Sequence, residues 1–194
     1  MLLRIAILAI SFGLVLGTSS HSDAKTLNVK IHFSYDKTPL RIELYDVNPL
    51  FKYSIAKTVI TSDIKTAPLQ KKISSSLSFA KGEDEKTFAL VVHNSTDQTR
   101  YFFAVPHTNH PGAGSMGLLF ECLCNHHVYK VPAHYYWYRI VRLKAEPDDP
   151  NLKNLSSVTI DHQFVEVSEA DVKKKYLSVL YEQDEDIKAE GKSK

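Results

Sequence analysis

Cysteine is scarce in this chain: two residues in 194, Cys122 and Cys124. Iron–sulfur chemistry usually needs four cysteines, which counts against it. A stable disulfide staple is excluded, because the pair is separated by a single residue. On a strand, two such side chains point to one face with Cα atoms roughly 6.5–7 Å apart. That span is at or beyond the reach of an unstrained disulfide. Charge of one sign is also lacking: the formal net charge is +2. No basic stripe interleaves with aromatics, which argues against nucleic acid as a partner. No apolar run reaches the ~20 residues that a membrane-spanning helix needs. No pair of carboxylates stands out as acid and base. No internal repeat or domain boundary interrupts residues 25–181.

The longest apolar run lies at the start. Arg4 precedes residues 5–17, and Ser22-Asp23-Ala24 fits a small-x-small cleavage site. Residues 1–24 therefore read as a signal peptide, with a short N-terminal anchor as the alternative. The expected address is periplasmic or secreted. Export makes a disulfide the default reading of two cysteines. The spacing opposes it and turns attention to metal binding or redox work.

The rest of the chain to residue 167 is a series of short alternating segments, the pattern of an antiparallel all-β domain. Leu27, Val29, Ile31 and Phe33 share a face, and Leu40, Ile42 and Leu44 alternate with polar neighbours. Further strands are expected over 53–61, 87–93, 100–105, 116–124 and 135–143, with one or two more over 158–160 and 164–167. Residues 62–76 are polar and weakly patterned. Pro106, Pro111, Gly112 and Gly114 mark 106–115 as a loop. Residues 168–194 differ: Ser168 and Asp171 have capping-box spacing. Val172, Tyr176 and Leu180 then fall on one face of an amphipathic helix, ahead of a charged tail.

The ligand-type residues gather in 118–137. This stretch holds Cys122, Cys124, His126, His127, His134 and the only tryptophan, Trp137. Soft thiolates select Cu(I), zinc or iron–sulfur, and imidazole suits copper and zinc. Cys122 and Cys124 with either His126 or His127 make a compact N/S set. A structural zinc finger normally spaces its cysteines by two to four residues, so copper matches better than zinc. His107 and His110, three apart in the Pro/Gly loop, are candidate further ligands or a capture site. The competing reading is a buried Cys122 and solvated histidines.

Two motif matches fail on context. Gly112-x-Gly114-x-x-Gly117 has dinucleotide-binding spacing, but a loop precedes it and a β-prone run follows. Ala113-x-Ser115-x-Gly117 imitates a nucleophile elbow, which needs a strand-to-helix turn. On the run Tyr135, Tyr136, Trp137, Tyr138, one face is expected in the core. The other would leave tyrosines exposed or near the metal. Asn94-Ser95-Thr96 and Asn154-Leu155-Ser156 match glycosylation acceptors.

Over 88–142 the order Asn94-Ser95-Thr96-Asp97, Phe120-x-Cys122-x-Cys124, Val131-Pro132 resembles the copper chaperones that build the copper-B site of cytochrome c oxidase. The resemblance implies an immunoglobulin-like domain whose Cys122 and Cys124 hold Cu(I), shared in one arrangement across a homodimer. It also implies delivery to a membrane-bound oxidase. This chain departs from that pattern with Leu123 in place of an aromatic, with an added histidine pair, and with a short N-terminal run. A second resemblance is to small blue-copper proteins. There Cys124 and His127 would be ligands, with His107 or His110 as the distant histidine. Val131 stands in the usual methionine place, and Met116 would serve only if folding brought it close.

The expectation is an all-β, antiparallel immunoglobulin-like or cupredoxin-like sandwich with a C-terminal amphipathic helix. The expected function is extracytoplasmic copper binding, as Cu(I) delivery or an assembly factor for a copper enzyme, without substrate turnover. The alternatives are a cupredoxin-type electron carrier and a non-metal secreted interaction module.

Overall fold

The computed structural model describes residues 26–180 except 37, 56, 81, 113–115, 122, 124, 125, 147 and 148. Among the described residues twelve strands follow in order: β1 Leu27–Asp36, β2 Arg41–Val47, β3 Thr58–Thr61, β4 Leu69–Ile73, β5 Ser76–Phe79 and β6 Glu85–His93. Then come β7 Arg100–Ala104, β8 Thr108–His110, β9 Leu118–Glu121, β10 Val128–Val131, β11 Tyr136–Ala145 and β12 Ser157–Val167. They form two six-stranded sheets. The first runs β10-β7-β12-β1-β5, with β8 also on β12; the second runs β3-β11-β6-β2-β4, with β9 also on β11.

The two sheets enclose one core. Val29, Ile31, Phe102, Ile160 and Phe164 from the first pack with Leu44, Phe88, Leu90, Trp137 and Val141 from the second. The alternation seen in the sequence is the cause: every second residue of each central strand is apolar, so each sheet has one greasy face to bury. Between strands the chain crosses repeatedly from one sheet to the other. The all-β expectation therefore stands at the level of two packed sheets.

Three features differ from the sequence reading. First, the pairing is not wholly antiparallel. β1 lies parallel to β12 over nine residue pairs, from Asn28↔Ser157 to Asp36↔Val165. Parallel neighbours need a long connection, and here nearly the whole domain is that connection. Second, both faces of the second sheet are covered. Ala89, Val91, Tyr138 and Ile140 form a second apolar cluster with Ala67, Ile55 and Ile64 from the segment after β2. Tyr138 is thus buried on the face expected to leave tyrosines exposed or near a metal, and Tyr136 stacks on His93 at 4.2 Å.

Third, the C-terminal segment is not one regular helix. A single α turn, α1 Glu169–Asp171, is followed by a π turn at Val172–Tyr176 and a 3-10 turn at Leu177–Val179. Ser168 caps α1, its Oγ accepting from the Asp171 N–H at 3.1 Å and donating to the Asp171 carboxylate at 2.7 Å. The wider π turn shifts the phase. Val172 is buried against Tyr101 and Val128, whereas Tyr176 remains exposed. Leu180 bridges to Val128, so the segment also covers the β10 edge. The charged tail from residue 181 lies outside the described residues.

Candidate metal centre

The site is built where three strands approach one end of the core. β7 and β8 are one extended run along β12, interrupted by a bulge. Ala104 pairs with Phe164 and Thr108 with Asp161, so Val105, Pro106 and His107 stand opposite only Gln163 and His162. Pro106 has no N–H to give the ladder, and an extra residue re-aims the side chains around it. The Val105 N–H still reaches the Gln163 carbonyl at 2.9 Å. The bulge turns His107 inward.

Three rings meet there. His107 and His162 lie 6.0 Å apart between ring centroids with planes 17° from parallel. Phe120 of β9 is 5.6 Å from His107 and 6.0 Å from His162. His162 is fully buried, with Phe164 at 4.8 Å and Phe33 at 6.3 Å. It was missed in the sequence because 158–160 and 164–167 read as separate pieces. As one strand, Val158, Ile160, His162 and Phe164 share the core face, and a histidine in that series is the signal.

β9 is clamped to β11. Arg142 holds Glu121 with two hydrogen bonds, Nε to Oε2 at 2.9 Å and a terminal nitrogen to Oε1 at 2.7 Å. That guanidinium keeps the Glu121 carboxyl below its ordinary range. The clamp ends one residue before Cys122. Cys122 and Cys124 themselves lie outside the described residues. Leu123, between them, sits in a bend and is fully buried. Among the described residues, the expected strand over 116–124 is seen as Leu118–Glu121, and Met116 is exposed in a bend before it.

The other candidates go to separate places. His126 is exposed and has φ +62°, the left-handed region a non-glycine residue rarely adopts. His127 is half-buried just before β10, its Nδ1 3.3 Å from the Val179 carbonyl. A carbonyl only accepts, so Nδ1 carries the proton and Nε2 the lone pair in that contact. His110 is not beside His107. It lies on the outer face of the first sheet, its Nε2 3.4 Å from Asp161 Oδ2, while His32 Nδ1 is 2.8 Å from Asp161 Oδ1. His134, also at positive φ, pairs with Asp97 at 2.8 Å. Among the described residues, no three His, Cys, Asp or Glu side chains converge as a metal site. The described residues supply an imidazole pair; sulfur ligands would have to come from Cys122 and Cys124.

A family model described as a domain of unknown function, DUF8709, matches residues 27–167. The chain belongs to this family. The matched span opens with the first residue of β1 and closes with the last of β12. The DUF8709 domain is thus the two sheets together, with the imidazole pair and the cysteine motif inside it and the C-terminal segment beyond it. No curated protein matches the chain.

Proposed function

We propose that this DUF8709 protein is an extracytoplasmic copper-binding protein that holds Cu(I) for delivery to, or assembly of, a copper enzyme. Cys122 and Cys124 are the primary ligands in this reading, with His126 or His127 as third; His107 and His162, which pack on Phe120 two residues before Cys122 in sequence, are further candidate imidazoles. The supporting observation is the His107–His162 pair, packed on Phe120 two residues before Cys122. Thiolate with imidazole is a donor set that suits copper. The two packed sheets with crossing connections support an immunoglobulin-like or cupredoxin-like type. The recipient would be a membrane-bound oxidase or another copper enzyme, reached outside the cytoplasm, and a homodimer is one arrangement for the shared ion. No substrate turnover is part of this reading.

The inward turn of His107, against the outward His110, gives the electron-transfer reading its own support. It leaves His107 as the distant-loop histidine to accompany Cys124 and His127.

Competition of the purified protein with a chromophoric Cu(I) chelator tests the proposal. One tightly held equivalent is expected, lost in the double variant Cys122→Ser, Cys124→Ser. Unchanged copper stoichiometry in that variant sinks it. Strong absorption at red wavelengths after oxidation would move the assignment to an electron carrier.

A further inference from the structure

The segment after β2 carries an exposed apolar tip. Leu50 is 90% exposed and Phe51 53% exposed, and Tyr53 is exposed beside them. Isolated exposed apolar side chains are ordinary; three large ones within four residues are not. The tip is held from below. Asn48 donates its N–H to the Pro68 carbonyl at 2.9 Å. Its side chain accepts from the Leu50 N–H at 3.0 Å, and its carbonyl accepts from the Phe51 N–H at 3.1 Å. Leu50 thus projects from a braced turn, with Phe51 half-exposed beside it.

The charge around the tip has one sign. From Val47 to Ser62 the only charged residues are Lys52 and Lys57; no acidic residue falls between Asp46 and Asp63. The other lysine-rich apolar segment differs in this respect. There the acidic residues Glu169 and Asp171 lie beside Lys173 to Lys175 in the sequence. An apolar tip flanked by lysines has the composition that suits a lipid interface, with side chains entering the acyl boundary and ammonium groups meeting anionic headgroups.

An open groove of about 670 Å³ lies next to the tip, lined by Phe51, Tyr53, Val59, Tyr138 and Ile140 among others. Its volume would suit a small molecule. Leu50 does not line it, however, and Leu50 is the most exposed of the three. A ligand in the groove leaves Leu50 unexplained. A fluid surface meets Leu50, Phe51 and Tyr53 together and needs no shaped pocket.

We infer that residues Leu50, Phe51 and Tyr53, with Lys52, form a docking tip for an anionic lipid surface. The inference does not depend on copper. The test is co-sedimentation of the full chain with vesicles of phosphatidylcholine alone or with a third phosphatidylglycerol. Binding to the anionic vesicles is expected, weakened at least tenfold by the pair Leu50→Glu, Phe51→Glu, and weakened by salt. Both positions are exposed, so the far-ultraviolet circular dichroism and melting temperature should be unchanged. The N-terminal apolar run is common to all variants, so the difference reads the tip. A second measurement fixes the site. Phe51→Trp adds an emission that brominated lipids should quench, whereas buried Trp137 should not respond. Equal binding by the double glutamate variant, or an unquenched Trp at 51, overturns the inference. Capture of a small amphiphile without vesicle binding overturns it in favour of the groove.

Discussion

Asn94 shows how one buried amide can join two turns. It is fully buried, and its Nδ2 faces the carbonyls of Gln98 at 2.8 Å, Val131 at 3.0 Å and Pro132 at 3.0 Å. Its Oδ1 accepts from the N–H and the hydroxyl of Thr96. The glycosylation match at Asn94 is therefore a structural asparagine, inaccessible in the folded chain; exposed Asn154 keeps the other match. Asn94→Asp preserves the shape and sets a carboxylate against three carbonyl oxygens. The expected loss is about 3 kcal/mol, read from the urea midpoint. His126 tests the opposite case. Its φ of +62° suits glycine better than histidine. His126→Gly should be neutral or stabilising by up to about 1 kcal/mol in thermal unfolding. A fall in Cu(I) affinity without a fall in stability would make His126 a ligand. The sequence supplied both residue types, but not their backbone angles or burial, which arise from the turns that tertiary packing closes.

The elements were legible where one face of a strand is apolar. β1, β2, β6, β7 and β11 alternate or run apolar because their neighbours lie on both sides, and these the sequence reading found. β4 was hidden because it is an edge strand whose LQKKI has its three central residues exposed. β8 is three residues inside a Pro/Gly loop, and β10 sits within the histidine-bearing stretch that looked like a turn. That last omission matters for the site: the chain from Cys124 to Tyr135 is not one free loop but an approach to a sheet edge. β9 is held by its charge clamp as well as by its short ladder. The Glu121 carboxyl lies below its ordinary value because Arg142 hydrogen-bonds it. A carboxyl lowered by folding contributes stability above its unfolded pKa and loses it as pH falls through the folded value. Glu121→Gln should therefore lower the melting temperature at pH 7. The gap from the parent should shrink as pH falls through the ordinary carboxyl range and close below the lowered folded value, where the parent carboxyl is protonated too. A gap that persists in stronger acid would mean that shape, not charge, holds β9.

At the scale of the whole molecule, the family domain ends at Val167 and the chain then turns back onto β7 and β10. Val172 is buried against Tyr101 and Val128, Leu180 bridges Val128, and the Val179 carbonyl meets His127 Nδ1. The segment thus does two things at once: it covers an edge strand and sets the tautomer of a candidate ligand. The sequence showed the cap and the apolar positions, but not what they would dock against, since β10 was unseen. A carbonyl behind a metal-binding imidazole is the kind of partner whose loss weakens metal affinity about 10–100-fold. Val172→Asp places a carboxylate in the docking site and should release the segment, at a cost of about 2–3 kcal/mol in its docking. Proteolysis should then cut after residue 167 while the two sheets stay folded, because among the described residues their main core cluster ends at Phe164. Two outcomes follow for copper. If His127 is a ligand, Cu(I) affinity falls with the segment's release although the sheets keep their melting transition. If the third ligand is His107 or His162, affinity is unchanged, because the contacts of the segment are to Tyr101, Val128 and His127. One variant therefore separates His127 from His107 and His162, with chelator competition and limited proteolysis as its readouts.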